Sequence, residues 1–377
     1  MHIVYMNPHY DADLRDPDAL LARYTASTGW CEALAAMDTR VVCVQRFGSD
    51  AAFERNGVSY RCVSDGLPPR LPSWAVPLRT LRLTASNRPD LIHVNGRPTT
   101  LALLRRIAPR STALVWQHHG GPDPVFPRRR FYSSFLRCAD AALFTSREQG
   151  EEWRSRGLLP FGAAIFAVQE ASTYMMRPSA PRSGASGVGA PHILWVGRLN
   201  ACKDPVTVLR GFAQLRVQLP RAFLTMAYSD ASMLDRVHAE IARRGINDAV
   251  ELRGAVPHDA MPALYAQADI FVLGSHAEGC GFALLEAMAC GVFPAVTGIP
   301  PFRVLTRNGE MGALWEAGDA DSCARALRAA AAGRPPATDV RVFFDKHLSW
   351  PAVAARARAA YAEVIATRQS RATRGAR

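Results

Sequence analysis

The apolar positions of this chain fall into short unbroken runs separated by stretches with helical spacing. Runs at residues 3–6, 40–44, 91–94, 113–117 and 141–144 predict strands buried on both faces, with a helix over residues 18–36 between the first two. A second series stands at 192–197, 222–227, 249–253, 269–273 and 292–296. The helix after Lys203 carries Val208, Phe212, Leu215 and Leu219 on one face, at i, i+4, i+7 and i+11. A last helix over residues 350–365 places Trp350, Val353, Ala354, Ala357, Tyr361, Val364 and Ile365 on one stripe. Residues 70–82, with Pro, Trp and Arg, read as irregular. Between the two series, residues 172–190 are rich in Ser, Ala, Gly and Pro, and 178–187 make the best linker. Alternating strands and helices on both sides of a linker predict two α/β domains with doubly wound, mostly parallel sheets.

The most informative segment follows the strand at 269–273. It begins Glu278-Gly279-Cys280-Gly281-Phe282 and carries a second carboxylate at Glu286. The order is strand, acid, glycine-rich turn, helix, acid. A helix N-terminus presents unpaired N–H groups and partial positive charge, which suit a phosphate or diphosphate. Glycines let backbone approach the anion. Glu286, about a turn inside the helix, is placed to accept vicinal hydroxyls, as on a ribose. Glu278, before the turn, is placed for a second polyhydroxylated group. A phosphate site between two such carboxylates outlines a nucleotide-diphosphosugar site.

A second basic turn precedes it. The strand at 192–197 ends at Gly197, followed by Arg198 and Lys203, with Asp204-Pro205 as N-cap and first-turn proline of the next helix. Lys203 and Lys346 are the only lysines of an arginine-biased chain. A lysine kept in that background suggests a position where a compact ammonium is wanted.

These two segments resemble the G-R-x-x-x-x-K-D and E-x7-E motifs of retaining GT-B glycosyltransferases, the family 4 (group 1) type. The resemblance is dense from about residue 192 to 365 and loose before it. It implies two Rossmann-like domains facing a cleft: 1–171 for the acceptor and 191–348 for the nucleotide sugar. The linker is 172–190, a helix at 349–366 crosses back to the first domain, and a basic tail at 367–377 is disordered. It also implies that Arg198 and Lys203 neutralise the donor diphosphate and the leaving group. The backbone at Gly279, Cys280, Gly281 and Phe282 holds the phosphates, Glu286 takes the ribose, Glu278 faces the transferred sugar, and the base lies near Val256. His119, before a glycine turn, is the expected histidine of the first domain, with His118 beside it. The implied reaction is a metal-independent front-face displacement of a UDP- or GDP-linked sugar. The leaving phosphate accepts the acceptor's proton, so Glu278 and Glu286 are not an acid/base pair. The catalytic set is then His119, Glu278, Arg198 and Lys203. No cofactor is implied, since the nucleotide sugar is a substrate.

The first loop departs from the family. Its usual Gly-Gly is replaced by Asn7-Pro8-His9-Tyr10-Asp11, which makes His9 and Tyr10 the acceptor-side candidates and leaves acceptor handling open. Asp11-Ala12-Asp13 and Asp319-Ala320-Asp321 spell D-x-D without the context of a metal site, and the latter reads as a helix start.

Composition adds bounds. The 377 residues suffice for two cores, and no apolar run approaches the ~20 residues of a membrane span. Eight scattered cysteines without a C-x-x-C pair read as buried small residues of a cytoplasmic protein. The net charge is +12, and the cluster Arg128, Arg129 and Arg130 offers a peripheral contact with an anionic inner-membrane face. No nucleic-acid signature is present, so the expected partners are a nucleotide-sugar donor and a small-molecule or lipid-linked glycan acceptor. Two other readings stay open: a catalytically silent GT-B scaffold, supported by the altered first loop, and a UDP-sugar epimerase-like relative.

Overall fold

The computed structural model describes residues 1–72, 75–120, 128–178 and 190–374. It contains two compact units: Met1–Ser172 together with Trp350–Arg377, and Thr173–Ser349. Most of the expected linker, residues 179–189, lies outside the described residues.

The first unit holds β1 (His2–Asn7), β2 (Arg40–Arg46), β3 (Ala51–Arg55), β4 (Val58–Val63), β5 (Leu91–Asn95), β6 (Ala113–Gln117), β7 (Ala141–Phe144) and β8 (Ala164–Ala167). They form one sheet in the order β3-β4-β2-β1-β5-β6-β7-β8. Every pairing is parallel except β3 with β4. Helices cover both faces, so the central strands are apolar without interruption; Val4, Met6, Val42, Val44, Ile92, Val94 and Leu114 lie in one core. The β3–β4 hairpin was not anticipated from the sequence, although Asn56-Gly57 announces it. Both residues have positive φ, 49° and 77°, as a two-residue turn of the type I′ hand requires. The helix expected at 18–36 is two helices, Pro17–Arg23 and Thr25–Ala35, broken at Tyr24 where ψ is 51°. Part of the stretch expected to be irregular is helical, in Leu78–Ser86.

The last helix, Trp350–Arg374, belongs to this first unit. Trp350 packs so tightly on Gly29 that a Cβ there would lie 2.4 Å from its indole ring. Tyr361 accepts from Trp30 Nε1 at 3.1 Å and meets His93 Nδ1 at 2.5 Å. The expectation of a disordered tail from 367 is corrected: the helix continues to Arg374. Arg368 holds it, donating to Arg110 O at 2.9 Å and to Asp140 at 3.4 Å. Among the described residues no helix is long and apolar enough to cross a membrane.

The second unit holds β9 (His192–Gly197), β10 (Phe223–Tyr228), β11 (Val250–Gly254), β12 (Ile270–Leu273), β13 (Phe293–Thr297) and β14 (Ala313–Trp315). All are parallel, in the order β11-β10-β9-β12-β13-β14. The winding reverses between β9 and β12, which pair at the start of both strands, through Ile193 with Ile270 and Leu194 with Phe271. In such sheets a ligand crevice opens at the carboxyl ends of the two strands beside the reversal.

Candidate active site

The turns leaving β9 and β12 meet at that crevice. β9 ends at Gly197 and delivers Arg198, which is exposed. The chain then bends back so that Lys203 N–H donates to Asn200 Oδ1 at 3.2 Å. Asp204 follows at φ 41°, a left-handed conformation tolerated by a short polar residue. Its carboxylate caps the helix Pro205–Gln218 by accepting from Thr207 N at 3.1 Å.

The exit of β12 lies directly against this turn. A Cβ on Gly274 would stand 3.0 Å from Asp204 O and 3.2 Å from Lys203 O, so glycine is what permits the approach. His276 N donates to Cys202 O at 2.8 Å, and His276 Nε2 meets Asp204 Oδ2 at 3.1 Å. With the two turns stitched together, Lys203 Nζ forms an ion pair with Glu278 Oε1. Ser275 Oγ donates to the same carboxylate oxygen at 2.8 Å. Both charged side chains are largely covered, 14% and 10% exposed, so their attraction is screened far less than that of a surface pair.

Gly281 then starts the helix Phe282–Ala289. Its φ is 70°, and a Cβ would fall 2.7 Å from Phe302, so neither backbone nor packing accepts another residue here. It caps the helix without a side-chain hydrogen bond, which leaves first-turn N–H groups for backbone, water or an anion. The Cys280 side chain is buried.

A cavity of about 380 Å³ lies over these turns, walled by Arg198, Lys203, Glu278, Gly281 and Phe282. Val256, just beyond the end of β11, and Tyr228, the last residue of β10, complete it together with Met261. Thus Arg198, Lys203, Val256, Glu278, Gly281 and Phe282, singled out from sequence, share one crevice. Tyr228 and Met261 were missed. Tyr228 was findable as the last residue of a parallel strand, whereas Met261 carries no such signal.

Glu286 sits behind this wall, 16% exposed. Tyr265 OH donates to its Oε2 at 2.9 Å, and His258 Nε2 stands 3.4 Å from its Oε1. Burial raises its pKa; the Tyr265 hydrogen bond and His258 act in the opposite direction. Tyr265 and His258 were also missed, because neither belongs to a motif.

In the first unit the sequence candidates separate. His119 is 41% exposed and pairs through Nδ1 with Glu170, a residue without a sequence signal. His118 is core: it stacks on Phe144 at 4.8 Å, meets Trp153 edge-on at 4.7 Å, and accepts from Gly120 N at 3.1 Å. Burial, helped by the nearby His119, lowers its pKa to about 3. Burial likewise lowers His93, within β5, to about 3.

The unusual first loop is tied down by the end of β2. Gln45 Nε2 donates to His9 O at 2.7 Å. Arg46, fully buried, donates to Pro8 O at 3.0 Å, to the carbonyls of Leu67, Pro68 and Pro69, and to Asp65 at 2.9 Å. Tyr10 is correspondingly buried, its ring 5.3 Å from the Arg46 guanidinium, and it borders a cavity with Asp11, Asp13, Arg23 and Arg70. His9 lies against Gly96 at the β1–β5 reversal of this sheet, where a glycine Cβ would be 3.2 Å from its ring. Burial and then Arg97, Arg46 and His119 lower its pKa to about 4.

The D-x-D segments serve local structure. Asp319 caps the helix Ala320–Gly333 through Asp321 N and Ser322 N, and Asp11 pairs with Arg23 at 3.2 Å. Among the described residues no group of three His, Cys, Asp or Glu is arranged to hold a metal ion. Arg129 and Arg130 are exposed on the helix Arg128–Leu136, beside the half-exposed Phe131.

Residues 177–341 match the family model for glycosyl transferases group 1, and residues 27–161 match that for glycosyltransferase family 4. The chain belongs to the group 1, family 4 glycosyltransferases. A sucrose-phosphate synthase from Thermosynechococcus elongatus superposes with TM-score 0.69 at 19% identity, over 97% of this chain and 99% of that one. The fold is GT-B. The 2-deoxystreptamine N-acetyl-D-glucosaminyltransferase of Streptomyces fradiae is 26% identical over 66% of either chain. A D-inositol 3-phosphate glycosyltransferase of Thermobispora bispora is 29% identical over 41% of this chain. The chain spans 39%, 30% and 32% of the length of three curated relatives that it matches. In this family-4 chain the two model-matched segments fall in different units, and the cavity lies wholly in the second.

Proposed function

We propose that the chain is a retaining glycosyltransferase that moves a sugar from a nucleotide diphosphate, UDP- or GDP-linked, to a hydroxylated acceptor. The observation that carries this reading is the convergence of Arg198, Lys203 and the Gly281 helix start on one crevice that also contains Glu278. Two cations and a helix N-terminus fit a diphosphate and the charge that builds on it as it leaves. Glu278 and Glu286 fit hydroxyls on either side of that diphosphate.

In the step proposed, the bond from the sugar's anomeric carbon to the diphosphate oxygen breaks. The acceptor oxygen bonds to the same face of that carbon, and its proton passes to the departing diphosphate. No protein base takes the proton, and the chain contributes orientation and electrostatics. Arg198 and Lys203 supply the charge that a divalent ion supplies elsewhere, so metal independence is part of the proposal. His119, oriented by Glu170, is assigned to the transferred sugar.

Calorimetry with UDP, GDP, ADP and TDP and their sugar conjugates, with and without EDTA, tests the donor side. Selective micromolar binding unaffected by EDTA supports the reading, and no binding across the panel sinks it. The anomeric configuration of a product, read by NMR, tests retention. An acceptor at a lipid surface would give Arg129 and Arg130 a role; unchanged sedimentation with anionic vesicles after double alanine substitution removes it.

A further inference from the structure

We infer that Tyr265 is a positioning residue that holds Glu286 for a ribose diol and thereby sets a preference for ribonucleotides over 2′-deoxyribonucleotides. The inference rests on the proposed role of Glu286.

Tyr265 stands on the helix Met261–Gln267, one turn after Met261, which lines the cavity. Its side chain is fully buried, with its ring 6.4 Å from that of Phe271. The hydroxyl therefore has one place to be, and it lies 2.9 Å from Glu286 Oε2 and 3.3 Å from Ala283 O. The two oxygens of Glu286 consequently differ. Oε2 is held by a donor locked in the core. Oε1 faces His258, 3.4 Å away on a loop side chain that is 77% exposed. One partner is fixed and the other can be displaced.

A carboxylate that receives two neighbouring hydroxyls must be ionised and must present its plane at a set angle. Burial works against ionisation at Glu286, and the Tyr265 hydroxyl works for it. The same hydrogen bond stops rotation about the last torsion of the side chain, which is otherwise broad. Tyr265 thus fixes the carboxylate's orientation, and His258 occupies Oε1 until a ligand hydroxyl replaces it. Without the tyrosine hydroxyl the carboxylate turns freely, and a diol loses its advantage over a single hydroxyl.

The test is calorimetric binding of UDP, 2′-deoxy-UDP, GDP and 2′-deoxy-GDP to the intact chain. In the wild type the ribose form of the preferred nucleotide should bind about tenfold or more tightly than its deoxy form, the worth of one hydrogen bond to a charged group. Tyr265→Phe should cut that ratio to about threefold or less, mostly by weakening the ribose form. His258→Ala should leave the ratio within about twofold. Glu286→Gln separates the two levels of the argument. If it leaves the ratio intact, the ribose role of Glu286 falls. If it collapses the ratio while folded Tyr265→Phe keeps it, only the inference about Tyr265 is overturned. Should Tyr265→Phe fail to fold, Tyr265→Met, also lacking a hydroxyl, carries the same comparison with the same outcomes. A merely structural tyrosine would lower both affinities together and leave their ratio alone, which would equally overturn the inference.

Discussion

The two units have related sheets and opposite ways of placing polar groups. In the second unit the polar groups stand at the mouth of the crevice, on turns whose shape is dictated by glycine. Gly274 admits the Lys203 turn and Gly281 starts the helix, so a handful of backbone constraints deliver Arg198, Lys203 and Glu278. In the first unit polar side chains go inward. His93 and His118 are in the core, Tyr361 is shared by Trp30 and His93, and Arg46 spends its guanidinium on loop carbonyls. A buried guanidinium that satisfies four carbonyls and a carboxylate fixes a loop that glycines would otherwise shape by conformational freedom. The lesson is that one sheet architecture can make a binding edge from backbone geometry or from side-chain wiring.

That contrast can be broken at the joint of the first unit. Trp350→Ala removes a buried indole from Gly29 and should cost about 3–5 kcal/mol of stability. Hydrogen exchange should show the loss in the strands of the first unit, with nucleotide affinity of the folded protein within about twofold of wild type. Equal loss of protection in β9 and β12 would mean that the units are one energetic body. Acid probes the same asymmetry. His93 and His118 have folded pKa values near 3 against an ordinary 6.5, so the unfolded chain binds protons that the folded one refuses. Their contribution is complete above pH 6.5 and is lost as pH falls toward 3. Between pH 7 and 5 the first unit should lose on the order of 3 kcal/mol. A flat denaturant midpoint over that range would show that the two rings take up protons alike in the folded and unfolded chain, so that burial does not hold them neutral.

Next in size is the crevice itself. Lys203→Ala should weaken nucleotide diphosphate binding by about 1.5–3 kcal/mol, roughly ten- to a hundredfold, and should also lower the unfolding temperature, because Glu278 is left covered without its cation. Unchanged calorimetric affinity would remove Lys203 from the diphosphate. The smallest effect belongs to His119→Ala, which should leave nucleoside diphosphate affinity intact and slow sugar transfer or donor hydrolysis about tenfold. A change confined to nucleotide affinity would place that histidine in the wrong unit's chemistry.

Legibility followed the same divide. Strands of parallel sheets are buried on both faces, so runs such as Ala113–Gln117 and His192–Gly197 could be placed to the residue. Most of the crevice of the second unit was legible because Arg198, Lys203, Glu278, Gly281 and Phe282 sit at fixed offsets from a strand end or a glycine. Glu170, Tyr265 and His258 were not, since they reach their partners from 51, 21 and 28 positions away in the chain and only the fold supplies that proximity. His118 misled for a related reason. Next to a glycine turn or in a strand-end loop, a side chain facing the core and one facing the crevice look alike in sequence. The helical tail was missed because arginine-rich composition hides the anchoring of Arg368 on Asp140 and Arg110.

The Lys203–Glu278 pair has a consequence for ionic strength. A crevice with two bare cations would attract small anions from solution and release both on binding a diphosphate, so affinity would fall steeply with salt. Here one cation already carries a tethered carboxylate as its counter-ion. Ligand entry exchanges an internal partner for an external one and discharges little into the medium. On the proposed donor role, the fall of affinity with salt should therefore be set mainly by the exposed Arg198 and be shallower than two bare cations would give.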